Sequence, residues 1–399
     1  MKTWALTAAA TFSFAACGSP GAKDPGDAET GGAASGGSPA SSGGAPSSGG
    51  TTGGGGSNEP KTTRLYVGGG DWSDEGHGKL SVFTFDEAAA TFTPGPTLDV
   101  GQLNSFAAFA PTSPYLYVAD EAGKMLRSFS IDGANGALSQ LDETPTTGGP
   151  VYVSVDSTGK YALVAYYGEG QVEVFALGAD GSLGASVDTE NTGDAAHSIV
   201  LSPDGRFAFV CNKDSNSISQ FQFDATTGQL AANSPASVTR AGGPRHLAFH
   251  PNGQFAYVIN ELAGTMTAFA YDEDAGTLSE LETESAVEVG FAGTLAAADV
   301  HVSGDGKYLY GSNRSGDASS LALFSIGTDG RLEPQQTTST HGKTPRNFQL
   351  APAGDVLVVA NQDSNQLAQF RLGATGELTF SATTEAGTAP YWIGFRVFD

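Results

Sequence analysis

From about Arg64 onward, apolar and polar positions alternate in short runs broken by Gly, Pro, Asn and Asp, the pattern of half-buried strands joined by tight turns. The clearest stretch is GGPRHLAFHPNGQFAYVINE, Gly242 to Glu261. It predicts an apolar strand from His246 to His250, a turn at Pro251-Asn252-Gly253, and a second strand from Phe255 to Ile259 that ends at Asn260-Glu261. Antiparallel pairing sets the start of the first strand beside the end of the second, which makes Arg245 and Glu261 expected neighbours.

Variants of this unit recur. Units begin at Val151, His197, Arg245, Ala298 and Arg346, with a weaker copy at Ser105. Their turn glycines, Gly159, Gly205, Gly253, Gly306 and Gly354, are separated by 46, 48, 53 and 48 positions. Each unit adds a third strand, such as Thr265 to Tyr271, and a D-x-x-T/N-G-x-L turn into a fourth, as in Asp224 to Leu230. A period near 45–50 with four short strands per unit predicts an all-β propeller. Arg64 to Gly68 reads as a second strand lacking its first, and Pro390 to Arg396 as a first strand with nothing after it. Paired, these two fragments complete a blade, closing a seven-bladed ring with no open edge.

The segment before the repeats has a different character. Lys2, an apolar run from Trp4 to Phe14 and Ala15-Ala16-Cys17 have the layout of an export signal, and small residues before a Cys resemble a lipobox that would place a lipid on Cys17. Gly18 after that Cys favours the outer membrane. Residues 18–63 are Gly, Ser, Ala, Thr and Pro with almost nothing to bury, a flexible tether whose r.m.s. span is on the order of 35–40 Å. The expected organisation is therefore a signal peptide over 1–17, a disordered linker over 18–63 and a propeller over 64–399, exported and held at the cell envelope by its lipid.

The chain carries 19 Lys and Arg against 43 Asp and Glu, a formal charge of −24. That excludes nucleic acid and an anionic membrane surface as partners, and makes any local cluster of cations informative. Aligned by repeat, the residues that open the first strands are Tyr391, Ser105, Val151, His197, Arg245, Ala298 and Arg346; those just after the second strands are Gly70, Glu121, Tyr167, Lys213, Glu261, Arg314 and Gln362. Both sets ring one mouth of the central channel. His197, Arg245, Glu261, Arg314 and Arg346, with Lys213 nearby, thus converge from four consecutive blades, an arrangement suited to a carboxylate or phosphate. The recurrent Asn212, Asn260, Asn313 and Asn361 read as turn-satisfying groups, and His246, His250 and His301 as core or turn residues, with His301 the foremost exception. Cys211 reads as a small core residue. No metal-ligand spacing, G-x-S-x-G or P-loop occurs, so neither metal nor cofactor is expected.

GPRH followed by FHPNGQFAYVINEL, then AADVH, DGKYLYGSNR, TPRNF and the closing GTAPYWI, resemble the seven-bladed lactonase family, which includes bacterial propeller-type 6-phosphogluconolactonase and fungal carboxy-cis,cis-muconate cyclase. The resemblance spans the chain from about Arg64 to its end. It implies a His, an Arg, a Glu and a second Arg as catalytic groups, carried onto His197 in AHS, Arg245 in GPRH, Glu261 in NEL and Arg314 in SNR. It also implies hydrolysis or reversible closure of a lactone bearing an anionic group. On this reading His197, with a pKa near its ordinary ~6.5, activates water. Arg245 and Arg314 hold the substrate anion and the charge developing on the carbonyl oxygen, and Glu261 orients an Arg or carries a proton. Arg346, Lys213 and Tyr391 are the expected substrate-binding groups.

Two other readings stay open at this point: a lactonising cycloisomerase of the cyclase type, and a noncatalytic surface propeller that binds a ligand or a protein. His197 beside Glu261 favours chemistry, since anion binding alone needs only the arginines.

Overall fold

A computed structural model describes residues 61–73 and 77–398; Cys17, the export signal and all but the end of the linker lie outside the described residues. Seven antiparallel four-stranded sheets follow one another along the chain. In the fifth, Pro244–Phe249 pairs with Phe255–Asn260, which pairs with Thr265–Asp272, which pairs with Thr277–Ser285. The first strands of successive blades contact one another in order around a ring, so each first strand is innermost. The ring closes as the sequence predicts, with Pro390–Phe398 as the inner strand of blade 1 beside Thr62–Gly69.

The turns explain the repeat. In blade 5 the Gly253 N–H donates to the His250 carbonyl at 2.9 Å with φ at 73°, a left-handed conformation that an L side chain rarely adopts. Between adjacent blades lies an apolar cluster, seven in all. Phe209 of blade 4, for instance, meets Phe249 and Tyr271 of blade 5 edge-on at 5.5 and 5.7 Å. Burying side chains of this size stabilises each junction by about 1.5–3 kcal/mol apiece.

One irregularity positions the site. In each blade the first and second strands slip register near the first strand's opening: in blade 5, Pro244 faces Asn260 and His246 faces Ile259, leaving Arg245 between them. The same slip isolates Ser105, Val151, His197, Arg346 and Tyr391, and Ala298 with Asp299 in blade 6. A bulge of this kind bends the strand and re-aims the extra side chain, here toward the axis.

Candidate active site

The bulged residues meet on the axis. Ser105, Val151, His197, Arg245, Arg346 and Tyr391 line one cavity of about 10 Å³, room for roughly one water. Phe106, His246 and Asn347, each the next residue after a bulge, line it too.

Glu261 is the hub of the rim. Its Oε2 lies 2.9 Å from Arg314 Nη2 and 3.0 Å from Arg245 Nε, and its Oε1 lies 3.9 Å from Lys213 Nζ. The Arg245 contact is off the hydrogen-bonding direction, so it is an ion pair rather than a directed bond. Burial opposes ionisation of Glu261, but Arg245, Arg314, Lys213 and Arg346 outweigh it and hold the carboxyl below its usual range. Arg245 is buried; desolvation and the neighbouring Arg314 and Arg346 push it down to about 9, which leaves it charged at neutral pH. Its Nη1 donates to the Ala298 carbonyl at 2.6 Å, and Arg314 Nε donates to the Ala296 carbonyl at 3.2 Å, so both guanidinium groups are fixed by backbone as well as by Glu261. Lys213 bonds Asp214 at 2.9 Å and sits 5.3 Å above the Tyr167 ring. Arg346 rests 4.5 Å above the Tyr391 ring and has no ion pair or hydrogen bond among the described residues.

His197 is buried, edge-on to His246 at 5.2 Å and to Tyr167 at 5.7 Å, and its Nδ1 has no hydrogen-bond partner among the described residues. Its basicity departs from the sequence expectation. Desolvation first, then Arg245, His246, Arg346 and Arg314, hold its pKa well below the ordinary value near 6.5, so the imidazole is neutral.

A second polar chain runs beneath the rim, and it corrects the reading of His246 as a plain core residue. Arg245 Nη1 lies 3.1 Å from His246 Nε2; a guanidinium only donates, so Nε2 accepts and the ring proton is on Nδ1. From there it is donated to Asp299 Oδ1 at 2.8 Å. Asp299 Oδ2 also accepts from Asn347 Nδ2 at 2.6 Å and lies 3.0 Å from His301 Nε2. His301, the exception foreseen among the histidines, is thus tied to this chain. Asp299 itself was not singled out by sequence reasoning, because its bulge slot is two residues long in blade 6 alone. Burial pushes His246 down to about 4, whereas His301 and His246 overcome burial to hold Asp299 below the carboxylate range.

The remaining polar residues act locally. Asn260 Nδ2 donates to the Thr265 carbonyl and to the Thr265 and Thr267 hydroxyls, and Asn361 Nδ2 to the Thr340 carbonyl. Cys211 is buried and free, its thiol pushed up to about 12 by desolvation. Among the described residues no group of three or more His, Cys, Asp or Glu is placed to share a metal ion.

Comparison with known proteins gives a consistent result. A family model described as the seven-bladed β-propeller lactonase matches residues 64–395. The 6-phosphogluconolactonase of Klebsiella pneumoniae is 31% identical over 340 residues, covering 84% of this chain and 96% of that protein. That of Pectobacterium carotovorum is 32% identical over 310 residues, covering 76% and 91%. The structure of the periplasmic gluconolactonase of Pseudomonas aeruginosa superposes with a TM-score of 0.78 at 30% identity, covering 85% of this chain and all of that one.

Proposed function

The chain belongs to the family of seven-bladed β-propeller lactonases, and on that premise we propose that its rim hydrolyses the lactone ring of a sugar acid. The observation that carries this reading is the seating of two guanidinium groups on one carboxylate oxygen, Glu261 Oε2, beside a neutral imidazole on the same axis. In this reaction the carbonyl oxygen gains negative charge as water adds. Arg245 and Arg314, held in place by Glu261 and by backbone carbonyls, stabilise that charge without reorganising. His197, neutral because of its surroundings, takes the proton of the attacking water. Its depressed pKa keeps the accepting form populated on acidification, at the expense of intrinsic base strength. Arg346, stacked on Tyr391 and otherwise uncommitted, holds an anionic substituent of the substrate, with Lys213 beside it.

The substrate class follows from charge. Glu261 brings one negative charge to two guanidinium groups and Asp214 balances Lys213, so with Arg346, unpaired among the described residues, these groups keep two positive charges for the substrate. That surplus suits an anionic substituent on the lactone together with the charge developing on its carbonyl oxygen. The Pseudomonas aeruginosa relative is a periplasmic gluconolactonase, which supports export of this enzyme; the lipid proposed for Cys17 would then hold it at the cell envelope. The test is a pH-stat comparison of δ-gluconolactone, 6-phosphogluconolactone and a carboxymuconolactone. Proton release well above the spontaneous rate with δ-gluconolactone is expected. Turnover of the phosphorylated lactone alone would make the anionic substituent obligatory and remove δ-gluconolactone as a substrate, and turnover of none would remove the hydrolytic reading.

A further inference from the structure

The rim holds a second carboxyl that no ion pair engages among the described residues. Glu121 follows the second strand of blade 2, Tyr115–Asp120, as Glu261 follows that of blade 5, so the two acids stand three blades apart around the mouth. The Glu121 backbone is fixed, its N–H donating to the Leu103 carbonyl at 2.9 Å. Gly149 of blade 3 is packed so close that an added Cβ would come within 2.9 Å of the Glu121 carbonyl and 3.5 Å of its Cγ. Glu121 Oε2 is nonetheless buried with no hydrogen-bond partner, and Glu121 forms no ion pair among the described residues. Leaving a buried polar atom unpartnered costs about 1–3 kcal/mol, which an oxygen kept for a reacting molecule would explain.

The groups acting on Glu121 come from four blades: the Ser105 hydroxyl of its own blade, Arg346 of blade 7, Arg245 of blade 5 and Tyr391 of blade 1. Burial pushes its carboxyl up from the usual range, and Arg346, Ser105 and Arg245 oppose this without cancelling it. Glu261 is displaced the other way. Two carboxyls at one site with environments that push them apart are suited to opposite protonation states.

We propose that Glu121 is the proton donor of lactone opening. This rests on the hydrolytic reading of the rim. Water adds to the carbonyl carbon and gives one proton to His197; the ring C–O bond breaks, and the departing alkoxide takes the proton from Glu121. His197 then returns its proton, through solvent, to the Glu121 carboxylate. The hydroxy acid that leaves ionises in bulk water, and that proton is the one a pH-stat records.

A leaving group that needs no acid tests the assignment. Opening δ-gluconolactone expels an alkoxide, whereas opening dihydrocoumarin expels a far less basic phenoxide. In Glu121→Gln, and again in Glu121→Asp, hydrolysis of δ-gluconolactone should fall relative to dihydrocoumarin; for Gln the ratio should change by about 100-fold. Both substrates are measured on one preparation, so partial unfolding lowers both equally and cancels. If the wild type does not accept dihydrocoumarin, the same contrast is read from the pH profile. Donation needs the protonated form, so wild-type kcat/KM for δ-gluconolactone falls as pH rises through the raised pKa, and Glu121→Gln abolishes that limb. Equal losses on both substrates, no loss on either, or an unchanged alkaline limb would overturn the proposal. A wild type that hydrolyses no lactone at all would instead overturn the hydrolytic reading.

Discussion

Arg346 differs from the other cations of the mouth in what it is free to do. Arg245 and Arg314 share Glu261 and Lys213 lies on Asp214, whereas Arg346 only stacks on Tyr391. Arg346→Ala should therefore raise KM for an anionic lactone by about tenfold or more, the equivalent of one charge-assisted bond, and change KM for a neutral lactone by less than about threefold. Steady-state kinetics on a matched pair of lactones reads this directly. Asp299 belongs to a different layer, one residue removed from the cavity through His246 and Asn347. Asp299→Asn leaves the buried donors of His246 and Asn347 without their anion, and should cost about 2–4 kcal/mol in a denaturant titration. The same pair links folding to pH. His246 is held near 4 in the folded protein and returns to ~6.5 when unfolded, so its contribution is complete above 6.5 and declines as pH falls through that window. Asp299, held low when folded, adds to the loss further into acid. Glu121, whose carboxyl is held high, works in the opposite direction, so the His246 part is read as the difference in denaturation midpoint between wild type and His246→Gln. The wild type's advantage should shrink between pH 7 and pH 4.5, and an advantage that grows on acidification would contradict the assignment of a neutral His246.

At the scale of the strand, two devices shape the molecule, and they were unequally legible. Turn glycines such as Gly253 and Gly276 stand out in the sequence, because few other residues tolerate their left-handed backbone, so the repeat and its strand order follow from their spacing. Gly276 does more than turn the chain. It lies against the ring of Phe207, which opens the second strand of the preceding blade, and the same contact recurs as Gly330 with Phe255 and Gly376 with Tyr308. An added Cβ would strike the ring and impose φ near 65° on an L residue, so Gly276→Ala should destabilise by about 1–3 kcal/mol, seen as a lower thermal midpoint. The bulge, by contrast, has no residue signature. Strict alternation assigns Arg245 and His246 to opposite faces, which is why His246 read as core and Asp299 passed unnoticed. The slipped register brings Arg245 and His246 to the same cavity. Strand boundaries shifted for the same reason, the first strand of blade 5 beginning at Pro244 rather than His246.

The whole ring determines which distant residues meet. Composite closure through Pro390–Phe398 was readable because a lone first strand at one end of the chain matches a missing one at the other. The gathering of His197, Arg245, Glu261, Arg314 and Arg346 at one mouth followed from aligned slots alone, since repeats of one architecture place equivalent positions at equal height. What slots could not show is how charges modify one another once assembled, and hence that His197 would be held neutral or that Glu261 would be shared by two arginines. These local cations stand in a chain of net charge −24, so on the proposed reading the mouth is the feature that would select an anionic or charge-developing guest. The most direct test of that account is the rate of δ-gluconolactone hydrolysis by the wild type and by Arg245→Ala, with the thermal unfolding of each recorded on the same sample. The account predicts wild-type turnover far above the spontaneous rate and a loss of about 100-fold or more in a variant that still unfolds cooperatively. A folded Arg245→Ala protein that opens the lactone as fast as the wild type would contradict it.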